Sequence, residues 1–349
     1  MKSYNNLYSQ VWDFKNLLAS YYAARKGKSE KNYAIDFEWN IEGNLLKIQK
    51  ELEEKIYKPG FYRQFKIYDP KLRKIFVAPF CDRIVHHALH NVINPIFDKG
   101  FIYDSYACRK DKGTHKGILR VKNFMMSLNR KCEGKDFYAL KCDIRKYFDS
   151  VDKTILLSLI KKKIRDKEIM ALVEKIVFSI PGAKGMPIGN LTSQLFANIY
   201  LNELDKFVKH NLKVKYYVRY VDDFILLSET KEQLKEWRIL VGEFLKNELL
   251  LELHPQKREI FPVRIGIDFL GFHIFVSHIL LRQSIIRRFW KKFKKGKMRS
   301  ESFWSYWGHF KFSDWHGLGN KIADKLHSKY SMDFYELYSK RTSNFPQDL

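Results

Sequence analysis

The order of apolar and polar positions in the first part of the chain predicts helices followed by two strands. Residues 1–60 carry apolar side chains at helical spacing, in two series separated by the basic stretch Arg25–Lys28. Over residues 61–77 the pattern changes to that of two basic and aromatic strands, with a turn at Asp69-Pro70 between them. The N-terminal part is therefore predicted to be helical, with one strand pair.

The remainder of the chain alternates between helices and short strands. Residues 136–144 (DFYALKCDI) have the composition of a buried strand, and residues 214–228 that of two strands around a tight turn at Val221-Asp222-Asp223. A helix from about Thr192 is predicted to place these apolar side chains on one face: Phe196, Ile199, Tyr200, Leu204, Phe207 and Val208. Further helices are predicted over about 82–96, up to about 128, over 152–180 and over 230–248, with a hairpin near Phe269–Phe275.

Composition and charge restrict the partners that this chain is expected to bind. Its 349 residues favour two or three compact subdomains, and a hydrophobic fraction of 45% is enough to bury a sizeable core. Lys and Arg total 64 against 39 Asp and Glu, which gives a net charge of +25. Because contacts of Lys and Arg with phosphates release bound cations, this excess favours a nucleic-acid partner. No apolar stretch is long enough to span a bilayer, so no membrane partner is expected.

The N-terminal sequence and the cysteines bear on the cellular compartment. The segment MKSYNNLYSQVWDF lacks the apolar core of a secretory signal. Cys81, Cys108, Cys132 and Cys142 are scattered without a C-x-x-C pair, so they are interpreted as reduced thiols rather than zinc ligands or disulfides. We therefore expect a cytoplasmic protein.

Three acidic residues lie where predicted strands end. Asp222 and Asp223 separate the apolar strands YYVRY and FILLS, and Asp143 lies near the end of the strand over 136–144. Burying adjacent carboxylates is costly unless cations neutralise them. Three converging carboxylates would hold two Mg²⁺ ions roughly 3.5–4 Å apart, one activating a 3′-hydroxyl and the other neutralising pyrophosphate. The alternative is that Asp-Asp is only a hairpin turn, because Asp is common in turns.

Three motifs resemble those of reverse transcriptases. Tyr220-Val221-Asp222-Asp223 is similar to their Y-x-D-D signature, and Asp143, followed five residues later by the aromatic Phe148, resembles their first catalytic motif. The segment Gly185–Gln194 (GMPIGNLTSQ) resembles the loop-to-helix motif that lies between the other two. The three motifs occur in the expected order, and flanking matches extend the resemblance from about residue 60 to 280.

The resemblance implies an α+β right-hand polymerase fold, with fingers, a small helical thumb and a palm whose antiparallel sheet carries the catalytic Asp residues. The implied division is 1–100 for the N-terminal helices and fingers, 101–152 for the first part of the palm, 153–185 for the second part of the fingers, 186–281 for the second part of the palm with a primer-grip-like hairpin, and 282–349 for the basic thumb.

The resemblance also assigns the chemistry of the site. Asp143, Ile144, Asp222 and Asp223 are expected to bind two Mg²⁺ ions, for which Mn²⁺ is a possible substitute. Lys257 is similar to the lysine that protonates the departing pyrophosphate, which is a general-acid role. The alternative for Lys257 is one more surface lysine among many.

A second group of residues is expected to bind the nucleotide: Arg73, Phe148, Ile188, Gly189 and Gln194. Arg73 matches a position that contacts the triphosphate, for which a forked guanidinium is suited. Phe148 resembles the steric gate that excludes a ribose 2′-hydroxyl. The alternatives are a solvated hairpin arginine at 73, a core phenylalanine at 148 and an isoleucine at 188 that merely packs.

Two C-terminal segments are expected to contact nucleic acid. Phe269-Leu270-Gly271-Phe272 resembles the primer-grip hairpin, in which Gly allows the backbone to approach the primer closely. Between Arg282 and Arg299 there are nine basic residues and no acidic ones, which fits a thumb helix that follows a duplex backbone. The residues assigned to these contacts are Phe269, Leu270, Gly271, Arg287, Arg288, Lys291, Lys292 and Lys295. The alternatives are a plain buried hairpin and a solvated charged face.

Within the group II intron-like lineage, the chain resembles prokaryotic or phage-encoded enzymes of diversity-generating retroelements. Ile188 and Gln194 stand where many reverse transcriptases have Gln and Pro, and Ala24–Lys28, Pro79–Leu89 and Ser105–His115 are further similar segments. This resemblance implies mutagenic retrohoming, in which template RNA is copied into cDNA with errors at adenines. The implied partners are template RNA, the RNA/cDNA duplex, dNTPs and a small, basic, barrel-shaped oligomeric accessory protein.

Two alternatives to this function remain at the level of the sequence. One is another stand-alone prokaryotic reverse transcriptase, of the retron, abortive-infection or CRISPR-associated type. The other is a non-catalytic RNA-binding module on a polymerase fold.

Overall fold

The computed structural model describes residues 3–68, 72–295, 298 and 300–314, which form two compact units. The first unit contains the described residues up to Arg120 together with Phe137–Phe261, and the second contains Val121–Asp136 with the described residues from Pro262 onward. The C-terminal part of the second unit thus begins at Pro262, 20 residues before the change in composition near residue 282. The finer division into fingers, palm and thumb stays a prediction. The predicted turn at Asp69-Pro70 and the end of the predicted thumb lie outside the described residues.

The first unit begins with four helices, of which the first three pack against a fifth and the fourth packs against the first three. These helices are α1 (Tyr8–Trp12), α2 (Phe14–Arg25), α3 (Asn32–Glu38), α4 (Ile41–Glu53) and the central α5 (Phe80–Asp98). The Asp13 and Asn40 side chains accept hydrogen bonds from first-turn N–H groups of α2 and α4, which explains where these helices start. Between α4 and α5, strands β1 (Arg63–Ile67) and β2 (Arg73–Val77) form an antiparallel ribbon, as the sequence pattern predicts.

A four-stranded sheet forms the centre of the first unit. Its strands are β3 (Tyr138–Ile144), β4 (Tyr217–Tyr220), β5 (Asp223–Ser228) and β6 (Leu253–Pro262), in the order β4-β5-β3-β6. β5 is antiparallel to both β3 and β4. The helices of this part of the chain are α6 (Thr114–Lys131), α7 (Tyr147–Ser150), α8 (Lys153–Lys161), α9 (Lys167–Val177), α10 (Leu191–Lys206) and α11 (Lys231–Leu249). α6 runs from the first unit into the second.

Helix α10 is buried on all sides, so the prediction of a single apolar face is wrong. It contacts α5, α8 and α11, and its polar residues Thr192, Asn198 and Asp205 are buried as well. These polar groups have internal partners; the Asn198 amide, for example, donates to the Ala107 carbonyl at 2.8 Å. Hydrophobic periodicity treats every polar position as solvent-facing and therefore cannot identify a buried polar residue that is satisfied within the core. Gln194 is the one exposed residue of α10.

The second unit combines a small sheet with two described helices. Strands β7 (Ile267–Phe269), β8 (Phe272–Ile274) and β9 (Ile279–Leu281) form an antiparallel sheet in sequence order, followed by α12 (Gln283–Lys294) and α13 (Ser300–Phe312). Aromatic rings form its core, and the centroids of Phe289 and Phe310 lie 5.0 Å apart. Among the described residues of the whole chain, no helix has the length and apolar character that crossing a bilayer requires.

Candidate active site

The turn between β4 and β5 carries Asp222 and is held in an unusual backbone conformation. Tyr220 pairs directly with Asp223, which leaves Val221 and Asp222 as a two-residue connection that we call the carboxylate turn. Val221 has a φ of +55°. This left-handed conformation is unfavourable for a β-branched residue, by about 1–3 kcal/mol, and persists only where surrounding contacts enforce it.

Arg219 supplies one of those contacts, and the sequence interpretation assigned it no role. Its guanidinium donates to the Val221 carbonyl at 3.0 Å and forms two bonds to the Asp205 carboxylate, at 2.7 and 2.5 Å. Both charged side chains have 0% exposure. Tyr217 also donates to Asp205, at 2.8 Å. The available sequence signal is an arginine within the apolar strand YYVRY, because a buried arginine requires a paired carboxylate.

Asp143 meets Asp223 across the sheet. The two residues are directly paired between β3 and β5, and the next residue, Ile144, donates its N–H to the Asp222 carbonyl at 3.2 Å. The three aspartates predicted as metal ligands are therefore brought to the same end of adjacent strands. The role of these aspartates as metal ligands stays a prediction, but the convergence that this prediction requires is present.

Lysine side chains lie beside these carboxylates. Lys257, on β6, forms an ion pair with Asp143, and the Lys141 ammonium lies 3.8 Å from the Asp223 carboxylate. The sequence interpretation includes Lys257 but not Lys141, which is two residues before Asp143 and points to the same face of β3. Two lysine ammonium groups are thus placed beside the three carboxylates.

Burial and mutual repulsion make two of the carboxylates difficult to ionise. Burial raises the pKa of Asp223 to about 7, opposed by the charge of Lys141 and reinforced by Asp143 and Asp222. Burial, followed by the charge of Asp143, also raises the pKa of Asp222, whereas Lys257 and Arg73 lower it. A nearby cation would return both groups to the ionised form.

The donor set fits a divalent cation, although the side chains are not assembled as a finished site. In the part of the chain that the structure describes, no three or more His, Cys, Asp or Glu side chains are placed so that together they could hold a metal ion. However, Oδ1 of Asp223 is buried without a hydrogen-bond partner, and such an orphaned oxygen favours a cation. Carboxylate and carbonyl oxygens suit Mg²⁺ and Mn²⁺. Asp143, Asp222, Asp223 and the Ile144 carbonyl would hold the ions.

The ribbon strand β2 links the predicted nucleotide residues to the third motif. The Phe76 N–H donates to the Ile188 carbonyl at 3.0 Å. A Cβ added to Gly189, whose φ is +127°, would lie 2.7 Å from the Phe76 carbonyl oxygen, so only glycine allows this approach. Arg73, on the same strand, is exposed, and its charge acts on Asp222.

Phe148 is half-buried and contacts the same motif through its backbone. Its carbonyl accepts a hydrogen bond from the N–H of Met186 at 2.8 Å, and its ring lies edge-on to Tyr147 with centroids 5.4 Å apart. Ile188 is also half-buried, whereas Gln194 is exposed. The first and third motifs are therefore adjacent, while the gate and nucleotide-binding roles stay predictions.

The predicted nucleic-acid contacts Phe269, Leu270 and Gly271 lie in the second unit, in a tight β7–β8 hairpin. Leu270 and Gly271 both have positive φ, and a Cβ on Gly271 would lie 2.8 Å from the Cδ1 atom of Ile285. The positive φ of Gly271, together with this close approach to α12, favours glycine here independently of a primer. The Phe269 side chain is fully buried, so only its backbone is available for a contact with nucleic acid.

Helix α12 separates its charges from its aromatic residues. Phe289 and Phe293 are buried, whereas most of the predicted phosphate contacts are exposed, namely Arg287, Lys291, Lys292 and Lys295; Arg288 is half-buried. This arrangement leaves the positive charge of the helix on its accessible side. Binding of nucleic acid by these residues stays a prediction.

Comparisons with known proteins identify relatives of this chain. Residues 56–274 match the family model described as reverse transcriptase (RNA-dependent DNA polymerase). The chain is 27% identical over 253 residues to protein YkfC of Escherichia coli (strain K12), which covers 60% of this chain and 66% of YkfC. It is 28% identical over 226 residues to the group II intron-encoded protein LtrA of Lactococcus lactis subsp. cremoris, covering 61% of this chain and 34% of LtrA.

Solved structures share the fold at low sequence identity. Telomerase from Candida albicans, in complex with the TWJ fragment of telomeric RNA, has a TM-score of 0.50 at 12% identity, covering 66% of this chain and 48% of the telomerase. Apo telomerase from Candida Tropicalis has a TM-score of 0.52 at 13% identity, covering 65% and 49%. The fold is thus the right-hand polymerase fold that the sequence predicts. The family match spans residues 56–274, which is more than half of this chain, so the chain belongs to the reverse transcriptase (RNA-dependent DNA polymerase) family.

Proposed function

We propose that this chain is an RNA-directed DNA polymerase that copies template RNA into cDNA. The proposal rests on the convergence of three aspartates. Asp143 and Asp223 are paired between neighbouring strands, and the Ile144 N–H donates a hydrogen bond to the Asp222 carbonyl. Oδ1 of Asp223 is buried without a hydrogen-bond partner. An ion-pair network alone leaves this oxygen unexplained, whereas a bound cation would satisfy it. The net charge of +25 suits a polyanionic substrate.

Each residue of the site has a chemical task in this proposal. Bound divalent ions would activate the primer 3′-hydroxyl and neutralise the departing pyrophosphate. Asp143, Asp222 and Asp223 hold these ions, and Lys257 delivers a proton to the pyrophosphate. Arg73 binds the incoming triphosphate with its forked guanidinium. The substrates are template RNA, the RNA/cDNA duplex and dNTPs.

Primer extension on an RNA template, with dNTPs and Mg²⁺, tests this proposal. We expect the wild type to extend and Asp222→Asn to lose activity by about a thousandfold or more, since a bound metal contributes several kcal/mol. Asp149→Asn removes an exposed carboxylate of the neighbouring segment and is the matched control. Near-wild-type synthesis by Asp222→Asn contradicts the metal assignment. RNA binding by a wild type that does not extend with Mg²⁺ or Mn²⁺ favours the non-catalytic alternative.

We further propose that the template belongs to a diversity-generating retroelement and that copying is error-prone at adenines. Ile188 and Gln194 support this assignment, because many reverse transcriptases have Gln at the first of these positions and Pro at the second. A small, basic, barrel-shaped oligomeric protein would be the accessory partner. Sequencing of the cDNA tests the proposal, with substitutions concentrated at template adenines as the expected result.

The similarity to LtrA favours a second candidate, a stand-alone or intron-associated prokaryotic reverse transcriptase without this error bias. An error spectrum that is equal at all four template bases would favour that second candidate.

A further inference from the structure

Lys141 lies beside the candidate metal ligands, although the proposed catalysis gives it no task. It belongs to β3, two residues before Asp143, and it is paired directly with Ile225 of β5. Asp223 is two residues before Ile225 on the same strand. Because side chains two residues apart on a strand share a face, Lys141 and Asp223 are diagonal neighbours on one face of the sheet.

The two oxygens of the Asp223 carboxylate have different surroundings. The Lys141 ammonium lies 3.8 Å from Oδ2, whereas Oδ1 is buried without a hydrogen-bond partner. A distance of 3.8 Å is too long for a hydrogen bond, so the charge of Lys141 compensates Asp223 without donating to it. A cation bound directly to this carboxylate would compensate its charge and satisfy the buried oxygen as well.

The chemistry of lysine suits a counter-cation that can be displaced. Its ammonium is a compact charge at the end of a flexible stem of four carbons. The Lys141 side chain is 24% exposed, so it reaches water from where it lies. The ammonium can therefore move away from Asp223 while the backbone of β3 stays paired with β5. If it did not move, a divalent ion held by Asp223 would be repelled by a second positive charge close to it.

We propose that Lys141 is a displaceable counter-cation of Asp223, which competes with the divalent ion for this carboxylate and so sets the ion concentration that the enzyme requires. Before an ion binds, the ammonium stabilises the buried charge of Asp223. When an ion binds, the ammonium withdraws toward solvent. Lys141 acts through Asp223 and is a positioning residue. This inference rests on the proposed function, because binding of an ion by Asp223 is part of that function.

Binding of Mn²⁺ in the absence of nucleic acid tests the proposal, with free Mn²⁺ measured by electron paramagnetic resonance. The binding assigned to the site is the part that Asp222→Asn abolishes. Lys141→Met removes the charge but keeps a long, unbranched side chain, and it should bind Mn²⁺ on the order of tenfold more tightly. Lys141→Arg keeps the charge and can bind the carboxylate with its forked guanidinium, so its affinity for Mn²⁺ should not exceed that of wild type.

The melting temperature provides a second measurement, which does not depend on catalysis. Without a divalent ion, Lys141→Met should melt below wild type, because Asp223 loses its compensating charge. Saturating Mg²⁺ should then raise the melting temperature of this variant more than that of wild type. Lys209→Met is the matched control, since Lys209 is also half-buried and lies 3.1 Å from Asp104, which is not a predicted metal ligand. This control should leave the shift caused by Mg²⁺ unchanged.

A double variant shows whether Lys141 acts through Asp223. In an Asp223→Asn background, Lys141→Met should no longer lower the melting temperature, because no charge at residue 223 remains to be compensated. Equal Mn²⁺ affinities of wild type and Lys141→Met, or an equal gain in Lys209→Met, overturn the proposal. Weaker binding of a primer–template duplex by Lys141→Met at unchanged Mn²⁺ affinity also overturns it and assigns Lys141 to a phosphate.

Failure of the proposed function gives a different result. If Asp222→Asn binds Mn²⁺ as wild type does, the metal assignment is refuted, and this inference falls with it. If the wild type binds Mn²⁺ at the site but extends no primer, the polymerase function is refuted, while the Mn²⁺ affinities of Lys141→Met and Lys141→Arg still decide the role of Lys141.

Discussion

Arg219 and Asp205 form a fully buried ion pair, and the same guanidinium donates to the carbonyl of Val221 in the carboxylate turn. Asp205 belongs to α10 and Arg219 to β4, so the pair connects the central buried helix to the strand that leads into Asp222. The turn is strained at Val221, and a rigid support explains how that strain is maintained. The pair therefore links packing of the core to the position of a predicted catalytic group.

Asp205→Asn should lower the free energy of unfolding by about 3–5 kcal/mol, because it leaves the Arg219 charge buried without a partner. Urea denaturation measures this loss. The double variant Asp205→Leu/Arg219→Met removes both charges and should regain most of the stability. It should nevertheless remain slow in primer extension, since the Val221 carbonyl still lacks its donor. A double variant with full activity would show that the pair has no role in positioning the turn.

A buried histidine predicts how stability depends on pH. His86 lies 2.8 Å from the Thr192 hydroxyl through its Nδ1 atom, and burial, followed by the charge of His87, lowers its pKa from 6.5 to about 3. The folded state therefore binds fewer protons than the unfolded state between these values. The contribution of neutral His86 to the free energy of unfolding is complete above pH 6.5. It is lost as the pH falls toward 3, by up to about 1.4 kcal/mol per pH unit.

Comparison of wild type with His86→Asn isolates this effect. The asparagine amide can replace the Nδ1 contact with Thr192 but does not titrate. We expect a lower free energy of unfolding at pH 7 and a weaker loss between pH 7 and pH 5, both read from urea denaturation. Equal pH slopes for the two proteins would mean that His86 is protonated at the same pH in the folded and unfolded states.

The sequence was most informative where the chemistry is local. Strand ends, the order of the motifs and the carboxylates predict the convergence of Asp143 with Asp222 and Asp223, because β-strands of one sheet bring their ends together. The ribbon of β1 and β2 also follows directly from its pattern. The ribbon and the Asp222-Asp223 turn depend on neighbours in the chain. Asp143 is 80 residues from Asp223, and its place beside that turn was predicted from the order of the motifs and from the buried strand that precedes each carboxylate.

Features that depend on distant packing could not be predicted. The full burial of α10 follows from α5, α8 and α11 surrounding it, and no periodicity reveals that its Thr192 and Asn198 have internal partners. The packing of Gly271 beside Ile285 depends on α12, which follows the hairpin in the chain, and the predicted contact of Gly271 with a primer stays a prediction. A cavity lined by Lys28, Arg83 and Gln194 combines segments more than 100 residues apart. A motif shows which residues belong together but not what the space between them holds.

Phe148→Ala should admit ribonucleotides, because removing the half-buried ring opens space for a 2′-hydroxyl. Single-turnover incorporation of matched ribo- and deoxynucleotides measures the discrimination, which should fall by about tenfold or more. Phe148→Tyr keeps the ring and should retain the wild-type ratio. If Phe148→Ala changes only the free energy of unfolding and not this ratio, the residue is a core phenylalanine that packs on Tyr147.

Ile188→Gln should lower misincorporation, most clearly opposite template adenine. The Ile188 carbonyl accepts a hydrogen bond from the Phe76 N–H. Because this bond involves only the backbone, the substitution changes the side chain while the loop remains bound to β2. An amide at this position can reward correct base-pair geometry in the transition state, and only such differential contacts improve selectivity.

A packing defect is the main competing explanation for any effect of Ile188→Gln, and the two have different kinetic signatures. A packing defect slows correct and incorrect insertion together, whereas restored discrimination slows the incorrect insertion more. Ile188→Leu, which keeps an apolar side chain of equal size, is the matched control and should leave the error spectrum unchanged. The measurement is the ratio of correct to incorrect kcat/KM opposite adenine, compared with the ratios opposite the other three bases. Since one hydrogen bond contributes about 1 kcal/mol, the adenine ratio should rise roughly fivefold. A ratio that does not move, or that moves equally at all four bases, separates Ile188 from any adenine-directed infidelity.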